Sequence, residues 1–521
     1  ICNIPAYSQI LARCRKGKYL RISWPIADNE GKALRPSIII SRLRKLFPLI
    51  TENSNIIKPE SETGEIELIT GRIPAFRQMI CALRRKADGM EIPALWRDVY
   101  RWFESQEEWK QKCLSLKEAF KYKNIVHSVE HNKIISLYGN NIKTSVSRLE
   151  KYSACPFAFY IQYGLKARER KIYRLSPPDI GTFMHTVIEK FSRQIVEQNI
   201  SWRELDREWC KDIVSDIVDD MIEKMQGSGI AGSKRYIALT MRLKRVISRA
   251  VWLIAEHIRR SSFEPVGYEV DFGKNDKESG ERGKNFEPIT IELDSGIRVE
   301  LEGRIDRVDA LKTEEGTYFR IIDYKSGNKD FKLSDVYNGL QIQLITYMDA
   351  LWEIYGRNTE QPIYPAGILY FHIDDPIIRK IGGANEDETE KEIMKQLKMK
   401  GLLLADVKLI KAMDNTIEGT SLIIPARINK GDVLGKSSVA TLEQFTILRN
   451  YVKELLKKLC AEIIEGDFSI KPYKKKGITS CNYCSFSAIC QFDPSLKENS
   501  FRQIYDYEDE KVWRLMEEGG F

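Results

Sequence analysis

The stretch that most limits how this chain can fold is residues 299–327, VELEGRIDRVDALKTEEGTYFRIIDYKSG. Apolar and polar side chains alternate on both sides of a polar turn containing Gly316, the pattern of an antiparallel β-hairpin. Period-two geometry puts Asp323 and Lys325, two apart on the second strand, on one face. A sheet that sets Asp306 of the first strand beside Asp323 offers two hard oxygen ligands of the kind Mg2+ takes. Lys325 on that face is placed to hold an attacking water and to offset charge on a phosphorane-like transition state. The Asp-x-Lys triplet is weak by itself, because 30% of the chain is charged and a solvated surface strand reads the same way.

The surroundings sharpen the reading. Helical periodicity covers residues 180–225 and 234–262 ahead of the hairpin. In GTFMHTVIEKF, His185 sits on a helix opened near Gly181 and is a candidate third metal ligand, whereas Glu189, one turn on, could support the ligands from behind but reads better as helix surface. Downstream, QIQLITY puts Gln343 and Tyr347 four apart on one helical face. PAGILYFHI reads as a strand, residues 376–440 as a loop-rich insertion, and TLEQFTILRNYVKELLKKLCAEIIEG as an amphipathic helix. GDVLGKSS, from Gly431, is one residue short of a phosphate loop and follows no apolar strand, so it reads as part of the insertion.

Ten cysteines in 521 residues are too few and too scattered for a secreted disulfide scaffold. Cys481, Cys484 and Cys490 crowd into TSCNYCSFSAIC, as metal or cluster ligands do in a reducing cytoplasm. Three thiolates need a fourth partner. Cys155, in SACPFAFY just before the motifs above, is the candidate, and one centre would then clasp the two ends of the domain. An iron–sulfur cluster and Zn2+ both suit these ligands. Cys2, Cys14, Cys81, Cys113, Cys210 and Cys460 read as core or incidental thiols.

The net charge of +8 is uneven: residues 1–140 hold 24 basic and 15 acidic side chains, a net +9. That suits a polyanion such as DNA, or a solvated surface. KYLRISW reads as a strand before a turn and a helix. Residues 74–123 read as helical, with Trp96, Trp102 and Trp109 packing. The polar run 124–143 reads as a linker. No apolar run approaches the ~20 residues a membrane helix needs. The length suggests about three domains, and a start at Ile1, inside apparent structure, suggests a fragment of a longer protein.

Four motifs stand in order: His185, the GRID run ending at Asp306, Asp323 with Lys325, and Gln343 with Tyr347. They resemble those of the PD-(D/E)xK nuclease superfamily, in its RecB-like branch. The resemblance implies an α/β fold, a mixed central sheet flanked by helices. It also implies that His185, Asp306 and Asp323 bind Mg2+, that Lys325 is catalytic, and that Gln343 and Tyr347 contact DNA or brace the site. One cysteine upstream and three downstream of such a nuclease resemble AddB-type subunits of AddAB helicase–nucleases, as do SVSRLEKYSACPFAFYIQYGLKARER, GLQIQLITYMDAL and GDFSIKPYKK. In that family four cysteines hold a 4Fe–4S cluster, which implies that role for Cys155, Cys481, Cys484 and Cys490, with Zn2+ the other choice.

The same resemblance implies the end of a degenerate helicase-like α/β region over 1–140, a nuclease over 141–500 and a tail over 501–521. Its activity would be exonucleolytic, on the 5′-ended strand at double-strand DNA ends in recombinational repair. AddA would be the ATP-driven helicase partner, in the cytoplasm. A solitary RecB-like nuclease lacks a helicase-like region before the motifs. A DNA-holding scaffold with a dead nuclease would lack Asp306, Asp323 or Lys325. Residues 50–135 carry no motif.

Overall fold

The alternating run before the turn folds as one long strand, and the run after it returns antiparallel. In chain order the main strands are β1 (Ile142–Ser145), β2 (Glu264–Phe272), β3 (Ile289–Glu292), β4 (Arg298–Lys312), β5 (Thr317–Lys325), β6 (Ile363–His372) and β7 (Lys400–Leu404). β4 is long enough to serve twice. Its first part pairs with β1 in parallel and with β3 antiparallel, and its second part pairs antiparallel with β2 and β5. β5 then pairs in parallel with β6, β6 antiparallel with β7, and the short strand Val439–Ala440 lies beside β7. The computed structural model describes residues 22–27, 33–52, 65–121, 123–139, 141–168, 177–225, 234–273, 286–327, 329–358, 361–377, 386–496 and 498–519. Cys2, Cys14, the first residues of KYLRISW and most of GKNDKESGERGKN lie outside them.

Two compact units divide between Lys123 and Asn124. In the first, α1 (Arg72–Ala87), α2 (Leu95–Ser105) and α3 (Glu107–Lys121) bury Met79, Trp96, Phe103, Trp109 and Cys113 together. Phe76 meets Phe103 edge-on at 5.0 Å, the geometry that the ring quadrupoles favour. Trp102 is the exception to the packing expected of the tryptophan series: it is 44% exposed, under the guanidinium of Arg72.

In the second unit the sheet lies between two helical layers. One face is covered by α5 (Val146–Ala154), α9 (Gln343–Asn358), α10 (Leu442–Ile464) and α11 (Asp509–Glu517), after α4 (His131–Tyr138). The other is covered by α6 (Pro177–Glu197), α7 (Arg207–Met225) and α8 (Lys234–Arg259). α10 starts where the sequence says it should: Thr441 and Gln444 satisfy each other's backbone N–H groups in a capping box.

Three expectations are corrected. Residues 376–440 are not mainly loop. They supply β7, the helices Glu386–Gln396 and Val407–Met413, and a small sheet of Gly419–Thr420, Arg427–Asn429 and Val433–Leu434. β7 is buried on both faces, so its sequence GLLL shows no alternation to read. The division falls before residue 140, and 124–143 is not a loose linker. Ile134 and Ile142 are core residues, and the Val129 N–H donates to the Gly466 carbonyl at 3.0 Å. Only glycine fits at 466, where φ is +75° and a Cβ would fall 2.1 Å from the Val129 carbonyl oxygen. Residues 501–519 are no loose tail either, since α11 buries Val512 and Met516.

Candidate active site

The β4–β5 ladder runs from the pair Lys312–Thr317 to the pair Arg307–Ile322. The next step in that register sets Asp306 opposite Asp323. There the side chain takes over from the backbone, and Asp306 Oδ2 accepts the Tyr324 N–H at 2.6 Å. Both carboxylates are buried, at 8% and 3% exposure. Asp323 Oδ2 lies 2.5 Å from Lys325 Nζ. Lys325 Nζ donates to Gln343 Oε1, and Gln343 Nε2 to Tyr347 Oη, each at 3.4 Å. Tyr347 Oη in turn accepts the Arg304 N–H at 3.4 Å. From α6, His185 Nδ1 comes within 3.5 Å of Asp306 Oδ2. The four motifs therefore form one connected constellation.

Two members were not expected from the sequence. Glu269 on β2 joins His185 and Asp306 in a trio whose ligand atoms lie within 4.8 Å of one another. Its φ is +48°, strained for a non-glycine residue inside a strand. The β2–β4 register passes from Tyr268–Arg307 to Val270–Ile305 and skips it. The usable signal was weak: a carboxylate in GYEVDF, on a strand that had to pair somewhere. The second is Glu150 on α5. Its Oε1 accepts the Ile342 and Gln343 N–H groups at 2.9 and 3.1 Å, satisfying donors at the start of α9 that no helical carbonyl reaches. Glu189 also departs from the surface reading. Its side chain is 16% exposed and holds Arg304 Nη2 at 3.2 Å, while Arg304 Nε holds Glu269 at 2.9 Å.

The electrostatics follow from crowding carboxylates away from water. Burial, then the charge of Asp306, raises the pKa of Asp323. The same two causes push Glu269 up to about 8. Burial works against a charged His185, but the hydrogen bond and charge of Asp306 outweigh it and raise its pKa. Burial likewise opposes a charged Lys325, and Asp323 more than restores it, so the ammonium persists. A desolvated cluster of this kind is where a cation is best accommodated.

Below the site, Asp309 holds two buried guanidiniums, Arg307 Nε at 2.6 Å and Arg320 Nε at 2.8 Å. This pairing locks the strands next to Asp306 and Asp323.

A sequence model of the PD-(D/E)XK nuclease superfamily matches residues 143–491. The chain belongs to this superfamily. A second model, the fifth domain of the ATP-dependent helicase/deoxyribonuclease AddB, matches residues 61–118, in the segment where the sequence offered no motif. The chain is 64% identical over 501 residues to the B subunit of the ATP-dependent helicase/deoxyribonuclease of Acetivibrio thermocellus, covering 96% of this chain and 43% of that protein. It is 62% identical over 500 residues to the corresponding protein of Ruminiclostridium cellulolyticum, with the same two coverages. It is 49% identical over 503 residues to that of Clostridium novyi, at 96% and 44%. The chain thus spans less than half the length of these relatives.

Within this PD-(D/E)XK nuclease, one motif glycine is required by space: a Cβ on Gly303 would sit 2.7 Å from the Tyr347 ring, whereas one on Gly181 would meet only the rotatable Ser326 Oγ, at 2.8 Å. Gly303→Ala is therefore expected to push Tyr347 and Gln343 off Lys325. A displacement of about 1 Å should slow DNA cleavage by roughly tenfold to a hundredfold. Cleavage rates beside an unchanged far-ultraviolet circular dichroism spectrum check this.

The four cysteines also converge. Cys155, at the break between α5 and the helical turn Pro156–Phe159, packs with Ala158, Ile161, Phe486 and Cys484. The Cys484 N–H donates to the Cys481 carbonyl at 3.1 Å, and Asn124 Nδ2 holds the Cys490 carbonyl at 3.1 Å. Burial pushes Cys490 up to about 11, and repulsion from Cys155, Cys481 and Cys484 adds to it. Burial raises Cys155 too, again with Cys481 and Cys484 adding. Thiolates would repel one another in this half-buried nest, so the nest fits a metal centre that neutralises them.

Proposed function

We propose that the chain is the nuclease-bearing part of an AddB-type subunit and hydrolyses DNA phosphodiesters with Mg2+. The observation that carries this is the desolvated His185–Glu269–Asp306 trio beside the Asp323–Lys325 pair. His185, Asp306, Asp323 and Glu269 would hold the cation, which supplies Lewis acidity toward the phosphate and the attacking water. Tyr324 N–H fixes the Asp306 carboxylate. Lys325 stays protonated beside Asp323, where it orients the water and meets charge developing on the phosphoryl oxygens. Gln343 and Tyr347 position Lys325.

Similarity along 96% of the chain to these helicase/deoxyribonuclease B subunits favours a deoxyribonuclease, and the family resemblance adds exonucleolytic action on the 5′-ended strand at DNA ends. It also favours a helicase partner of the AddA type, and hence a cytoplasmic site of action. It weighs against a solitary RecB-like nuclease. A dead scaffold is disfavoured because Asp306, Asp323 and Lys325 are all in place. Among the described residues no helix is long and apolar enough to cross a membrane.

At the cysteines the family resemblance favours a 4Fe–4S cluster held by Cys155, Cys481, Cys484 and Cys490, with Zn2+ the other choice.

Cleavage of labelled single-stranded DNA should require Mg2+ and stop in EDTA; no cleavage with any divalent cation would overturn the proposal. Stability provides a second test. Glu269, Asp323 and His185 all bind protons more tightly when folded. Stability of the metal-free protein from these groups is therefore full at low pH and is lost as pH rises toward about 8. The melting temperature in EDTA should fall from about pH 5 to about pH 8.5, and Mg2+ should raise it most at the upper end. A Mg2+ effect independent of pH would count against the trio.

A further inference from the structure

The second unit holds a cavity of about 310 Å³ at the edge of the sheet, where β1 pairs with the start of β4. Three rings line it, Tyr138, Phe159 and Tyr163, together with three cations, Lys143, Arg148 and Lys166. The Arg148 guanidinium lies 5.1 Å from the Tyr163 ring centre. The π-helical turn Tyr160–Gly164 carries Tyr163 and leads to Lys166, whose φ is +56°. Such turns concentrate at functional positions.

The part-buried Tyr138 and Tyr163 rings for stacking and the cations for a phosphate together describe a nucleotide site. We propose that this cavity takes one nucleotide of single-stranded DNA and anchors the strand that the active site cuts. The inference rests on the nuclease reading above. A strand suits the site better than a free nucleotide because α5 and β4 each carry residues of both the cavity and the candidate active site. α5 carries Arg148 into the cavity and, two residues on, Glu150 under the helix of Gln343. Along β4, Val299 lines the cavity and Asp306 follows seven residues later, about 23 Å at ~3.3 Å per residue. One bound strand spans that distance in a few nucleotides.

The test is fluorescence anisotropy of labelled oligothymidine on the full chain in EDTA, across a salt series. Arg148→Ala should weaken binding about fivefold or more and flatten the plot of log affinity against log salt by about 0.7. Tyr163→Ala should weaken binding with no change of salt slope, because it removes a stacking face and no charge. Thymidine monophosphate should not displace the oligonucleotide at equal base concentration. Wild-type affinity and slope in both variants would overturn the anchor, and displacement by the monophosphate would overturn the strand reading. Asp323→Ala separates the two proposals: it should bind with the wild-type salt slope yet cut nothing. Normal cutting by Asp323→Ala would sink the nuclease assignment while leaving the anchor result readable.

Discussion

Lys325→Ala is expected to bind DNA normally and to cut it about a hundredfold or more slowly. Lys325 Nζ is 2.5 Å from Asp323 Oδ2, and its side chain is 25% exposed, so its charge acts where water screens little. Without it, one positive charge leaves the face on which the reacting phosphate must lie. Ground-state binding, spread over many cations, should barely change. Asp323→Ala should go further and abolish cleavage, since it removes an oxygen ligand. It should still fold, because it removes a buried carboxylate that crowds against Asp306, the crowding that raises the pKa of Asp323 itself. Lys325→Arg should not rescue, because a planar fork does not reproduce a compact ammonium. Single-turnover cleavage under saturating protein reads these losses directly. A wild-type rate in Lys325→Ala or Asp323→Ala would refute the site.

Cys155→Ala is expected to lose the bound metal centre, lower the melting temperature and weaken binding to DNA ends together. Cys155 and the distal triplet are separated by more than 300 residues. In the cross-link model, closing so long a loop stabilises the folded state by a few kcal/mol. Metal affinity that exists only in the folded state adds to this. Cys81→Ala, at an exposed cysteine, should do none of these things. Iron and zinc content of anaerobically purified protein, beside thermal melts, gives the answer. Zinc in place of iron would replace the cluster but keep the clasp, whereas unchanged metal in Cys155→Ala would remove the clasp itself.

Much of the site was legible because its parts lie on regular elements. Period two placed Asp323 and Lys325 on one face, and helical spacing joined Gln343 to Tyr347. Glu269 was not legible, because its role depends on a positive φ and a skipped register position that only the paired strand produces. Glu150 was hidden for a related reason: it caps a helix 192 residues away. β7 was lost because a strand buried on both faces has no alternation. The run 124–143 misled through its polarity, since a few anchors such as Ile134 and the Val129–Gly466 bond fix it in the core.

The first and last segments of the second unit are neighbours in space. Tyr152 Oη donates to the Asp467 carbonyl at 2.7 Å, Arg502 bonds the Ser153 carbonyl, and Val129 pairs with Gly466. A ribosome adding ~5–20 residues per second needs about 15–60 s to travel from Cys155 to Cys490. Throughout that interval every motif from His185 to Tyr347 emerges before the surfaces that hold α5, and Glu150 with it, against α9. On the proposed nuclease reading, a nascent chain carries its candidate cutting residues before the segments that brace them, so cutting is expected only late in translation.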